Sequence, residues 1–129
     1  MKDIAYQVAS WLASAGFGTL GTDIFVGQMP ADTNGLYVFR TGGQLNNYVP
    51  IEEAVCDIYC KNIKSELAVD KLEDIKQAIH RQYSQTIGDT FVYTFLILGN
   101  IECIERDNEY AKVYKLTVQA VHRDTTLIS

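Results

Sequence analysis

Apolar residues recur at three- and four-residue steps at the start of the chain: Ile4, Val8, Trp11, Leu12 and Ala15. That spacing predicts one buried face of a helix from Ile4 to Ala15. Asp3 stands where an N-cap or first-turn acid favours the helix dipole. Gly16 and Gly18 predict the end of the helix, because glycine takes left-handed conformations without a Cβ penalty. The period then shortens. Asp23 to Gly27 reads as a short strand, and Pro30 to Gly35 as a turn-rich connection. Leu36 to Thr41, aromatic and β-branched, reads as a second strand. Asn34-Gly35 suits a hairpin turn between these two strands. Gly42 to Pro50 is the next loop: Gly42-Gly43 and Asn46-Asn47 make it polar, while Leu45, Tyr48 and Val49 are apolar. Such a loop is a plain connector or a contact arm that orders against a partner.

Glu53 to Asn62 alternates cleanly and predicts a third strand. Ala54, Cys56, Ile58 and Cys60 face one way; Glu53, Val55, Asp57, Tyr59 and Lys61 face the other. Ser65 to Ser84 reads as the main helix, with an apolar stripe of Ala68, Leu72, Ile75, Ile79 and Tyr83. Phe91 to Ile104 reads as a long strand bent at Gly99. It is apolar on both faces, which predicts a central position covered on both sides by the helices. Arg106 to Glu109 is a polar hairpin turn. Tyr110 to Arg123 is the last strand, with Tyr114, Leu116, Val118 and Ala120 on one face. The order is helix, three strands, helix, two strands. It predicts a single α+β domain over residues 1–129: a mixed, mostly antiparallel sheet of about five strands, packed by an N-terminal and a central amphipathic helix.

Composition narrows the function more than the fold. The 129 residues are 47% hydrophobic, enough for a real core. No apolar run reaches the length of a membrane span. Met1-Lys2-Asp3 opens with an acid and a polar-faced helix, unlike a signal peptide, so synthesis in a cytoplasm is expected. The net charge is −5 and the pI about 4.9, with eleven basic residues scattered among sixteen acids. Gripping nucleic acid needs clustered Lys and Arg, so an acidic chain argues against it; DNA passing close by without sticking is compatible.

The chemistry is sparse. Cys56, Cys60 and Cys103 are an odd number, which predicts free thiols, and the first two read as small buried hydrophobes. His80 and His122 sit at no ligand spacing from a cysteine, so no metal site is expected. Gly16-Phe17-Gly18-Thr19-Leu20-Gly21 matches a dinucleotide-binding spacing. It follows a helix and precedes a strand, the reverse of the context that fingerprint needs. No nucleophile turn or P-loop is present. Glu53 and Asp57 share a strand face, but a solvated or interface face explains them better than acid–base work. No catalytic, metal-binding or cofactor-binding residue is expected.

Four stretches carry a family resemblance. They are the N-terminal helix followed by GFGTLGTDIFVGQMP, the strand LYVFRTGG, EEAVCDIYCKN feeding the helix SELAVDKLEDI, and the closing pair of long strands. Together they resemble the minor capsid and tail-terminator proteins of long-tailed bacteriophages, over almost the full length. The resemblance implies a non-enzymatic virion protein at the tail–head junction. Such a protein forms a ring, usually a hexamer, on the head-proximal end of the tail tube. Its partners would be further copies of itself, the tail tube protein and a head-completion or connector protein. DNA would pass through the lumen without sequence-specific binding. The alternative readings are another head-completion or connector protein or, further off, a small ligand-binding domain or enzyme.

A ring subunit needs two different complementary faces, because head-to-tail contacts close into rings. The outer face of the third strand, with Val55, Asp57, Tyr59 and Lys61, mixes apolar, aromatic and charged groups as an interface does. With Tyr48 in the Gly/Asn-rich loop, these are the candidate subunit or tube contacts.

Overall fold

A computed structural model of the chain describes residues 4–27, 35–45, 52–62, 65–80, 83–87, 90–106 and 112–124. The elements are α1 (Ile4–Ser14), β1 (Ile24–Val26), β2 (Gly35–Leu45), β3 (Glu52–Asn62), α2 (Ser65–His80), β4 (Tyr83–Ile87), β5 (Thr90–Arg106) and β6 (Lys112–Asp124). The strands form one six-stranded sheet in the order β1-β2-β3-β6-β5-β4. Only β1 and β2 run parallel; every other neighbouring pair is antiparallel. The fold is α+β, as the element order predicts.

Both helices bury their apolar stripes on the same face of the sheet. Ile4, Val8 and Leu12 of α1 and Ala68, Leu72, Ile75 and Ile79 of α2 join one core with Leu36, Val38, Cys56, Ile58, Leu116 and Val118. The register explains the strand contribution. Val38 pairs with Ile58, Ile58 with Leu116 and Cys56 with Val118, so each row delivers its apolar side chains to the same side. Each fully buried Leu or Ile contributes about 2 kcal/mol of transfer free energy. Trp11 extends the core sideways to Phe95, ring centres 6.0 Å apart.

Helix α1 stops in a Schellman turn. The Phe17 N–H donates to the Leu12 carbonyl and the Gly16 N–H to the Ala13 carbonyl, at 3.0 and 3.1 Å. Gly16 carries the positive φ, +91°, that this turn needs.

Several expectations change. The sheet has six strands, not about five. Helix α2 ends at His80, and Tyr83–Ile87, whose first residues extend the helical stripe in sequence, instead forms β4 against Thr90–Thr94 of β5. Tyr, Thr and Ile favour a pleated ladder once a partner strand is present. No hairpin joins β1 and β2, because they are parallel: the Leu36 N–H donates to the Asp23 carbonyl and the Gly27 N–H to the Val38 carbonyl. Gly35 serves close approach at the start of β2, where a Cβ would lie 2.7 Å from the Asp23 carbonyl oxygen. Gly42 to Leu45 belongs to β2, not to the following loop. The bend expected at Gly99 is present, as a positive φ inside a register shift between Leu98 and Glu102. Strand β5 is not covered on both faces. Both helices lie on one side, and Leu96 and Leu98 on the other side are 45% and 39% exposed.

Leu72→Ala should destabilise the fold by about 2–5 kcal/mol, since a fully buried leucine leaves a cavity that the rigid sheet cannot fill. Urea denaturation followed by far-UV circular dichroism measures this. A loss under about 1 kcal/mol would place α2 outside the core.

Candidate protein-contact surface

The side chains that alternate away from the core form the second sheet face, and among the described residues neither helix packs on it. Strand β3 supplies Val55, Asp57, Tyr59 and Lys61 to this face, as its alternation predicts. Phe25, Tyr37 and Phe39 add an aromatic margin from β1 and β2. Thr117 and Lys115 from β6 and Leu96 and Leu98 from β5 complete it. Tyr48, the remaining candidate contact, lies outside the described residues.

Asp57 is the centre of this face and is only 7% exposed. A carboxylate buried to that degree must be hydrogen-bonded. Its Oδ1 accepts from the Thr117 hydroxyl at 2.8 Å and its Oδ2 from the Tyr59 hydroxyl at 3.3 Å. The two donors come from the next strand and from two positions along the same strand, so the carboxylate pins β3 to β6. This commitment takes Asp57 away from any acid–base partnership with Glu53. Burial, then the negative charge of Asp57 and the hydrogen bond to it, push the Tyr59 phenol above its ordinary value.

Tyr59 in turn holds the aromatic margin. Phe39 meets it edge-to-face with ring centres 5.5 Å apart. Tyr37 stacks on Phe25, also at 5.5 Å, and burial raises its phenol as well. Phe39, Arg40, Thr41 and Tyr59 line a shallow hollow of about 420 Å³. On the opposite margin of the same face Leu96 and Leu98 stand out into solvent. The face therefore carries a recess on β2 and β3, a pinned polar centre and a projecting aliphatic ridge on β5. Apolar side chains on this face thus surround fixed polar groups, a composition that protein interfaces share.

The remaining reactive groups lie elsewhere. Cys56 and Cys60 are buried on the helix side as expected, and burial pushes the Cys60 thiol up to about 11, which keeps it protonated and inert at neutral pH. His122 is buried on the helix side near the end of β6, and His80 is exposed at the end of α2. Sequence spacing missed Thr117, which lies sixty positions from Asp57. Phe39 and Tyr37 were readable from the alternation of β2 against Leu36 and Val38. No described helix is long and apolar enough to cross a membrane.

Comparison with known proteins points to a structural family. The family model described as bacteriophage tail terminator protein matches residues 11–122. The chain belongs to the bacteriophage tail terminator family. The match starts inside α1 and ends two residues short of the end of β6, so it takes in five strands whole and all but the last two residues of the sixth. The family is one of structural tail proteins, not of enzymes, and it places this tail terminator family member in the virion. None of the functionally curated proteins matches the chain.

Thr117→Val should cost about 1–3 kcal/mol, because it leaves a buried carboxylate oxygen without its donor. Equilibrium denaturation at pH 7 reads this directly. A raised phenol stabilises the fold below pH 10 and withdraws that stability as pH climbs through the folded-state value. Tyr59→Phe should therefore lose stability less steeply than the natural chain above pH 10. Denaturation midpoints at pH 8 and pH 11 test the sign.

Proposed function

We propose that this protein forms a ring that caps the head-proximal end of the tail tube, stops tube polymerisation and presents the docking surface for the head. The match to the tail terminator family over residues 11–122 carries this reading. The helix-free sheet face supports it physically. Strand β3 offers Val55, Tyr59 and Lys61 around the pinned Asp57, next to a recess on one margin and a leucine ridge on the other. A head-to-tail contact needs two unlike surfaces of this kind on each copy.

DNA passes through the lumen of such a ring, and the acidic balance of the chain suits that passage. With a net charge of −5 the surface repels phosphate on average, so the duplex meets no adhesive wall. No residue is assigned a catalytic role, and no cofactor is called for. The face of β3 meets a protein, either the next copy or the end of the tube.

Polymerising tail tube protein from the same phage provides the test. With the natural chain present, tubes should stop growing and carry a cap at one end in electron micrographs. Val55→Lys, a change at a half-buried position of the open face, should keep the fold within about 1 kcal/mol while weakening capping by roughly tenfold or more. Tubes that grow to the same lengths with and without the protein contradict the capping role. If the protein instead binds isolated heads and leaves tubes alone, it is a head-completion or connector protein.

A further inference from the structure

Both edges of the sheet are stepped. On one side β1 flanks β2 only from Leu36 to Val38. On the other β4 flanks β5 only from Thr90 to Thr94. Among the described residues no strand flanks β2 from Thr41 to Leu45, or the outer side of β5 from Phe95 to Arg106. The outer side of β1 is itself closed by a turn: the Ile24 N–H donates to the Thr19 carbonyl, and the Ile24 carbonyl accepts from the Gly21 N–H. Among the described residues one sheet therefore offers two long backbone edges on opposite sides.

Free edges of this length template pairing with another chain unless they are blunted. The free part of β5 begins Phe95-Leu96-Ile97-Leu98, with both leucines exposed. The free part of β2 contains Gly42 and Gly43, and glycine inside a strand marks a place where another backbone comes close.

Topology fixes the sense of a contact between copies. From β2 through β3 and β6 to β5 each step is antiparallel, so β5 runs opposite to β2. A second copy rotated about a ring axis presents its β2 antiparallel to β5, with its helices on the same side. The steps then fix the register. Phe39 lies in one row with Asp57, Thr117 and Leu98. Without displacement, β4 of one copy and β1 of the next would occupy space already filled. Opposed residues of an antiparallel pair point to one face, so the second copy must slide by an even number of rows. Six rows clear both short strands and set its Gln44 opposite Glu102 and its Gly43 opposite Cys103. Spread over the four long strands of each copy, that displacement is a strand tilt of roughly 45°, at the upper end of the range of closed sheets.

We propose that successive copies of this chain join edge to edge, β5 of one antiparallel to β2 of the next, with Cys103 opposite Gly43. The contact rests on the ring reading and supplies its mechanism of closure. It leaves the helix-free faces continuous around the ring and available to a different protein.

Cys103 is an exposed thiol, whereas Cys56 and Cys60 are buried. In Gly43→Cys, opposed residues of two copies would have Cα atoms about 4.5–5.5 Å apart with both side chains on the helix face, inside disulfide range. Within one chain the two positions lie on opposite edges of the sheet, separated by β3 and β6, so only a bond between copies forms. Oxidation with copper–phenanthroline should give a ladder of covalent oligomers on a non-reducing gel. Adding Cys103→Ser should abolish it. If Gly43→Cys folds poorly, Thr41→Cys, at an exposed side chain on the same edge, reads the contact through a short bismaleimide linked to Cys103. Rings in micrographs without a ladder overturn the edge contact and leave the ring intact. Neither rings nor a ladder overturns both. Dimers that persist with Cys103→Ser report a two-fold contact through β2 and also overturn the proposal.

Discussion

Two helices pack on a single face of the sheet, and that one-sided core governs the rest of the molecule. The apolar rows Val38–Ile58–Leu116 and Cys56–Val118 face α1 and α2. A sheet covered on one side leaves a second side whose residues must be tolerated by water, pinned by hydrogen bonds or covered by another protein. All three occur here. Lys61 and Lys115 suit water, Asp57 is held by Thr117 and Tyr59, and Leu96 and Leu98 remain exposed.

The buried carboxylate gives the open face its rigidity. Asp57 could not sit at the middle of a sheet without donors, and the two that it has come from β6 and from its own strand. Removing either leaves one carboxylate oxygen without its donor in a largely desolvated place. The hydrogen bond also fixes Tyr59, which fixes Phe39 edge-on, so a single polar contact organises the aromatic margin beside it. A surface pre-ordered in this way loses little further side-chain entropy when a partner covers it.

Local periodicity made most of the core legible. The alternation of β3 assigns Ala54, Cys56, Ile58 and Cys60 to the helices, and the same alternation assigns Val55, Asp57, Tyr59 and Lys61 to the open face. The stripes of α1 and α2 were equally plain. What escaped depends on pairing between distant segments. Tyr83 continues the helical stripe of Ile79 in sequence, and only the ladder with β5 makes it a strand residue. Asn34-Gly35 has hairpin chemistry, yet β1 and β2 run parallel and Gly35 answers a close approach by Asp23. The leucines of β5 look like a strand buried on both faces, because an apolar run does not say whether the second cover comes from its own chain. Thr117 carries no local signal at all. The candidate Tyr48 lies outside the described residues, so the contact surface rests on β3 and its neighbours.

Membership of the tail terminator family makes the chain a structural component of the virion. The central claim is that identical copies close into a ring wide enough for DNA. Negative-stain electron microscopy of the purified protein, at concentrations that favour assembly and on tail tubes, tests it most directly. Rings with a central hole of duplex width, free or at one tube end, are the predicted result. Featureless small particles together with bare tube ends would contradict it.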